Sequence, residues 1–435
     1  MQGLDLRSDP YQMLLKLLIF LLPLYSIRFN LGIEIALYKV LPILLLPLVF
    51  LGRGVRLKSR LNRANFITLA LIVYMVSVTV WRYLSETNSS LMDSSVKQIG
   101  QDPLIYMVTQ TLFWLIPIFS IFIFQSYKIY QAKALIYFKY FSYGLIFSCF
   151  VGFFLLGAKT FFGAGLAGSY EAALGRLGGL SGEPRHLGSF IVLVLFFTAV
   201  KWSDNRPIIN LKAHWCVFLL VALFLTSSSS AIGGASALVA LMAMHRFGSL
   251  SFTKSNLRLA VSVAALVVIL LAYSGFLSDL NYRLSSFSSA LYHLPKDSGI
   301  ILLLLSNFSY LLFGCGAGGV DMLLASNLGV LPDFLARAPI YSETGIEINH
   351  VVASGGIIRF VSDFGLVGVA LLTSLIFSVV NSLKINKQGK MDLKMLFFCF
   401  SFLSTMSFVV FLYGIFLLSC TASGDKSYTS FDSKP

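Results

Sequence analysis

Apolar residues in this chain come in long runs rather than in the alternation of a half-buried strand or the stripe of a surface helix. A run of roughly 18 residues with few charges can cross a hydrocarbon core about 30 Å thick as a helix, and on that reading the chain holds about eleven spans. They run Tyr11 to Ile27, Ile33 to Leu51, Phe66 to Leu84, Leu104 to Phe124, Leu135 to Gly157, His186 to Trp202, His214 to Leu225, Ala231 to Arg246, Leu257 to Leu277, Ile357 to Leu383 and Leu393 to Cys420. The turn-bounded alternation of a membrane barrel is absent. The expected fold class is therefore all-α, a polytopic integral membrane protein of about 11 or 12 transmembrane helices, the twelfth arising if the last run is a kinked pair.

The polar connections divide by charge. Arg53, Arg56, Lys58, Arg60 and Arg63 follow the second run, Lys128 and Lys133 the fourth, Lys201, Arg206 and Lys212 the sixth, Arg246, Lys254 and Arg258 the eighth, and Lys384, Lys387, Lys390 and Lys394 the tenth. Basic connections face the cytoplasm, which puts the N-terminus inside and the loops Ser85 to Pro103, Ala158 to Arg185 and Ser278 to Gly356 outside. The expected organisation is transmembrane helices over 1–277 with the outer loop 158–185, a large outer loop 278–356, C-terminal transmembrane helices 357–420 and a polar tail 421–435. Within the large loop, Gly299 to Phe313 is apolar but short, which suits a helix lying on the membrane surface or against the bundle. No internal repeat is found.

Composition narrows the class further. With 57% hydrophobic and 12% charged residues and a mean hydropathy of +0.81, the chain lies outside the range of soluble domains. The net charge of +14 could serve nucleic acid or loops beside anionic lipid; the basic residues lie next to apolar runs, which favours the loops. The five cysteines are odd in number, and Cys149, Cys216 and Cys399 sit inside apolar runs, so no disulfide framework is implied. The first run lacks a small-residue cleavage site and reads as a retained span.

Candidate chemistry concentrates in RLGGLSGEPRHLGSF, residues 176–190, which places Arg176, Glu183, Arg185 and His186 within eleven positions among glycines and Pro184. Glycine and proline make this irregular backbone, which at membrane depth must be buried in protein or line a watery cavity; the plain alternative is an exposed, solvated loop. Arg176, Gly178, Glu183-Pro184 and Gly188 resemble the R-x-x-G, E-P, G signature of bacterial O-antigen and exopolysaccharide polymerases, in the superfamily that also holds the O-antigen ligases. The long outer loop, the turn Phe313-Gly314-Cys315-Gly316 and His350 before Gly365-Leu366-Val367-Gly368 extend the resemblance over roughly Gly163 to Gly368.

The resemblance implies a GT-C-like glycosyltransferase that joins undecaprenyl-diphosphate-linked repeat units at the periplasmic face of the bacterial inner membrane. It implies glycan-carrying lipid substrates and, as partners, a chain-length regulator and a flippase; no nucleic acid enters. Arginine suits the diphosphate because its fork stays charged and binds bidentately, and Arg176, Arg185, Arg283 and Arg359 are the candidates. The acceptor proton can go to Glu183 or His350; His350 is favoured as base, with Glu183 orienting sugar hydroxyls or arginines, and Arg176 completing the catalytic set. No cofactor is expected, and the outer loops show no ligand cluster, so the transfer is expected to be metal-independent. A ligase passing glycan to lipid A core, and a flippase or other transporter of lipid-linked oligosaccharide, are the alternatives.

Other features have plainer readings. Gly314 to Gly319 imitates a dinucleotide loop but lacks a preceding strand, so a turn or an anion nest is expected. Arg359 and Asp363, four apart on one helix face, can form an ion pair, and His186 can cap the sixth helix. Glu34, Lys39 and Lys139 are expected to snorkel or pair, and the small residues at 233–237 to let helices approach.

Overall fold

The computed structural model describes residues 10–24, 28–30, 34–36, 63–86, 103–126, 131–162, 177–181, 184–201, 207–226, 300–301, 304–305, 307–320, 357–383 and 387–402, with positions 232, 235–236, 239, 385 and 414. These residues are mostly helical. In chain order they form α1 (Pro10–Leu21), the strands β1 (Arg28–Asn30) and β2 (Glu34–Ala36), α2 (Arg63–Glu86), α3 (Pro103–Ser126), α4 (Gln131–Phe162), a 3-10 turn (Gly179–Ser181), α5 (Pro184–Ala199), α6 (Ala213–Leu225), α7 (Phe308–Phe313), α8 (Ile357–Ser382) and α9 (Lys387–Phe402). Three segments, Arg63–Ser85, Tyr137–Gly157 and Ile358–Ser382, are long and apolar enough to cross a membrane.

The start of the chain departs from expectation. The first apolar run forms only the 12-residue α1, because Pro23 has no amide to donate and restrains the residue before it from helix. The span expected from Ile33 opens instead as β2, paired antiparallel with β1 so that Asn30 faces Glu34 and Phe29 faces Ile35. Gly32, between the strands, is the sequence signal for that reversal, and Glu34 belongs to a hairpin rather than to a helix. The helices α2, α3 and α6 keep the expected bounds within three residues. The spans expected at 257–277 and beyond 402, and most of that at 231–246, lie outside the described residues.

Stripes of buried residues at the helical period set the packing. On α2 the buried positions Ala64, Thr68, Leu71, Met75, Val78 and Arg82 recur every three or four residues, while Phe66, Leu69, Val73, Val76, Val80 and Leu84 are exposed. This stripe packs on α3 and on α8. A second group joins α1, α4, α5 and α6. Here α5 is buried on every side from Leu187 to Val194, so it is the centre of that group. One hydrophobic core runs through both groups, and Gly414 touches Leu193 of α5 and Phe397 of α9.

Two further joints depend on close contact. Gly144 of α4 lies against the backbone carbonyl of Phe20 in α1, so close that a Cβ there would collide with it. Lys390 of α9 reaches back to the Asn381 carbonyl at 2.7 Å and caps the end of α8, a use for a basic residue that loop charge alone does not suggest. Gly144→Ala must push α1 off α4. It is expected to lower stability by about 1–3 kcal/mol, read as a lower midpoint of thermal unfolding in detergent. An unchanged midpoint would show that α1 is not seated on α4 as described.

Candidate functional site

The described part of the glycine-rich stretch that suggested chemistry, residues 177–181, is anchored to the core through Leu177. Leu177 is fully buried and its amide donates to the Leu225 carbonyl at the end of α6 (2.9 Å). Leu180 donates to the Ser148 hydroxyl (3.0 Å), and Gly179, at φ +57°, lies against the Ser148 carbonyl where a side chain would clash. The chain then enters α5, with Arg185 and a buried His186 in its first turn. Residues 177–181 are thus held between α4, α5 and α6.

A second constellation forms where α7 and its glycine turn meet α8. The helix α8 breaks at Gly365 (φ 60°, ψ −169°), a backbone conformation open essentially to glycine. A Cβ on Gly365 would strike the Leu312 carbonyl, and one on Gly314 the Asp363 carbonyl, so the two chains cross backbone to backbone. Carbonyls at the break find partners in this crossing. Cys315 N donates to Ser362 O (2.8 Å), Gly316 N to Asp363 O (2.9 Å), and the Tyr74 hydroxyl of α2 to Phe364 O (2.8 Å).

The side chain of Asp363 is fully buried and takes three donors: Trp114 Nε1 at 2.9 Å, Arg359 Nε at 3.1 Å and Gly318 N at 3.2 Å. A buried carboxylate is stable only with such charge-assisted bonds, and these tie α3, α8 and the turn together. Arg359 and Asp363 form the i,i+4 ion pair that their spacing allows. Trp114 is wedged edge-on against Phe360 (5.5 Å) and Phe364 (6.1 Å). Arg82, at the end of the α2 stripe, donates from Nε to Gly314 O (2.9 Å) and from Nη2 to Ser309 Oγ (2.7 Å).

The turn is not an anion nest. Gly314 N donates to Tyr310 O, Cys315 N and Gly316 N to α8, Ala317 N to Thr79 Oγ1 (3.1 Å), Gly318 N to Asp363 and Gly319 N to Gly316 O. Every amide from 314 to 319 thus has an acceptor within the protein. It is also preceded by a helix, α7, and not by the strand of a dinucleotide site.

Of the residues expected to do chemistry, Arg359 is placed in this cluster, and the backbone of Arg185 lies in the other helix group, at the head of α5. Arg176, Glu183, Arg283 and His350, and the side chain of Arg185, lie outside the described residues. Among the described residues no group of three His, Cys, Asp or Glu is arranged to hold a metal. Arg82, Tyr74, Thr79 and Trp114 were not singled out from sequence. The signal for Arg82 was an arginine at the end of an apolar run that the basic connections are expected to place on the outer side, against the bias of basic residues to the inner side. No protein-family model matches this chain, and no curated protein matches it significantly.

Asp363→Ala would leave Arg359 buried without its carboxylate and release Gly318. A loss of about 3–5 kcal/mol is expected, read as a large fall in the thermal midpoint followed by tryptophan emission, with Asp363→Asn falling less. Equal midpoints for wild type and Asp363→Ala would remove this carboxylate from its role.

Proposed function

We propose that this chain is a polytopic inner-membrane glycan polymerase that joins undecaprenyl-diphosphate-linked repeat units at the periplasmic face. The observation that carries the reading is the interlock of two segments about fifty residues apart in sequence, the turn Phe313-Gly314-Cys315-Gly316 and the break of α8 at Gly365, which opens Gly365-Leu366-Val367-Gly368; both belong to the family resemblance. They meet around two buried arginines, Arg82 and Arg359, at the ends of membrane-length helices. Buried preorganised cations are what a reaction with an anionic leaving group requires.

In the proposed reaction a sugar hydroxyl of one lipid-linked unit attacks the anomeric carbon of another. The new glycosidic C–O bond forms as the bond from that carbon to the diphosphate oxygen breaks, and the diphosphate leaves with the electron pair. The hydroxyl proton passes to His350, or to Glu183, whose other role is to orient the acceptor. Arg176, Arg185, Arg283 and Arg359 hold the departing diphosphate, which needs charge more than it needs an acid, and no metal takes part. The nearest alternative is a ligase that passes the finished glycan to lipid A core with the same donor chemistry. The break of α8 at Gly365 beside a buried ion pair favours a second reading, a transporter of lipid-linked oligosaccharide, because discontinuous helices also mark transport sites.

The test is the surface glycan ladder of a deletion strain complemented with wild type, Glu183→Ala or Arg176→Ala. A polymerase predicts single repeat units on the lipid acceptor, with the ladder restored by wild type and reduced at least about tenfold by either variant. Full-length polymer left on its carrier would indicate a ligase, and repeat units held on the cytoplasmic side a transporter. A normal ladder with Arg176→Ala would overturn the catalytic assignment.

A further inference from the structure

Arg82 is only 6% exposed, yet its acceptors are both neutral, the Gly314 carbonyl and the Ser309 hydroxyl. The rings of Trp81 and Tyr310 lie 4.3 and 4.4 Å from its guanidinium carbon and hold the planar group in place. Among the described residues no carboxylate lies within ion-pair distance of it, whereas Arg359 has Asp363. Among the described residues, two arginines against one carboxylate leave one positive charge in excess in this cluster.

A desolvated cation with neutral partners alone is costly, and a neutral donor would pin the turn as well. An anion that binds there and completes the charge explains the choice of arginine. The turn offers that anion no free amide, since each from 314 to 319 already donates within the protein. The guanidinium carries five N–H donors, of which these two acceptors use two, and the Ser309 hydroxyl sits beside it.

The surroundings identify the kind of anion. Trp81, Leu84, Leu305 and Phe308 are 46%, 63%, 61% and 70% exposed on α2 and on the segment leading into α7. Exposed apolar side chains on the two segments that carry Arg82 and Ser309 fit a phosphate carried on a hydrocarbon chain better than a free ion, which would need polar groups to replace its water. We propose that Arg82 is a substrate-positioning residue that binds a phosphate oxygen of a polyprenyl diphosphate, together with Ser309, while the prenyl chain runs along the exposed apolar residues beside it. This deepens the polymerase reading and rests on it for the presence of such a lipid.

The experiment uses the purified full chain in nanodiscs and native mass spectrometry to measure binding of undecaprenyl diphosphate, phosphatidylglycerol and inorganic pyrophosphate. Wild type is expected to bind the prenyl diphosphate most tightly, Arg82→Gln to weaken that binding by about ten- to a hundredfold, and Arg82→Lys to weaken it less. Equal binding by Arg82→Gln and wild type would overturn the proposal, and so would equal binding of phosphatidylglycerol or pyrophosphate by wild type. Should Arg82→Gln fail to fold, photocrosslinking of wild type with a diazirine-bearing polyprenyl diphosphate decides: label on residues 81–84 or 305–313 supports the site, and label confined elsewhere refutes it. Failure of the polymerase reading looks different, as wild type that binds the lipid through Arg82 but elongates no glycan.

Discussion

The carboxylate of Asp363 is the joint on which the described site depends. It is fully buried, and it accepts from an indole of α3, a guanidinium one turn earlier on its own helix and a backbone amide of the glycine turn. Each donor comes from a different part of the chain, so one side chain locks a long-range arrangement that no local preference could maintain. The break of α8 two residues later is tolerated for the same reason. Its carbonyls are taken up by the amides of Cys315 and Gly316 and by the hydroxyl of Tyr74, and water is not needed to satisfy them.

Glycine makes this joint possible through close approach. Gly314 and Gly365 face each other where any Cβ would collide with the opposite backbone, and Gly365 also adopts a conformation that other residues resist. The Gly179 region uses the same device in the other helix group, against Ser148 of α4. Both glycine-rich stretches thus serve as tight backbone contacts to long helices; the backbone of Arg185 and His186 follows the first at the head of α5, and Arg82 and Arg359 lie beside the second.

The long helices were legible because their apolar runs are long enough to cross a bilayer, a signal summed over many residues that overrides local detail. α2 and α3 follow their apolar runs to within three residues. The N-terminal region was misread for a local reason: Pro23 and Gly32 interrupt apolar sequence, and hydropathy averaged over a span does not register a single proline or a reversal. The ion pair of Arg359 with Asp363 followed from spacing alone, since i and i+4 share a helix face. Trp114, Tyr74 and Arg82 were not legible as partners of the turn, because they are about two hundred residues or more from it or from Asp363 and nothing in their own neighbourhoods points there.

By itself the sequence determined the grain of this protein: apolar length marks which segments can be helices long enough for a bilayer, and glycine and proline mark where the backbone must leave the helix. Only the tertiary structure decided that α8 breaks at Gly365, that the turn amides are committed to protein rather than to an anion, and that Arg82 stands beside Ser309 and Gly314 with a positive charge that no carboxylate among the described residues cancels. The reason is range. Periodicity and turn propensity act within a few residues, whereas the satisfaction of a buried carbonyl, carboxylate or guanidinium depends on which distant segment folds against it.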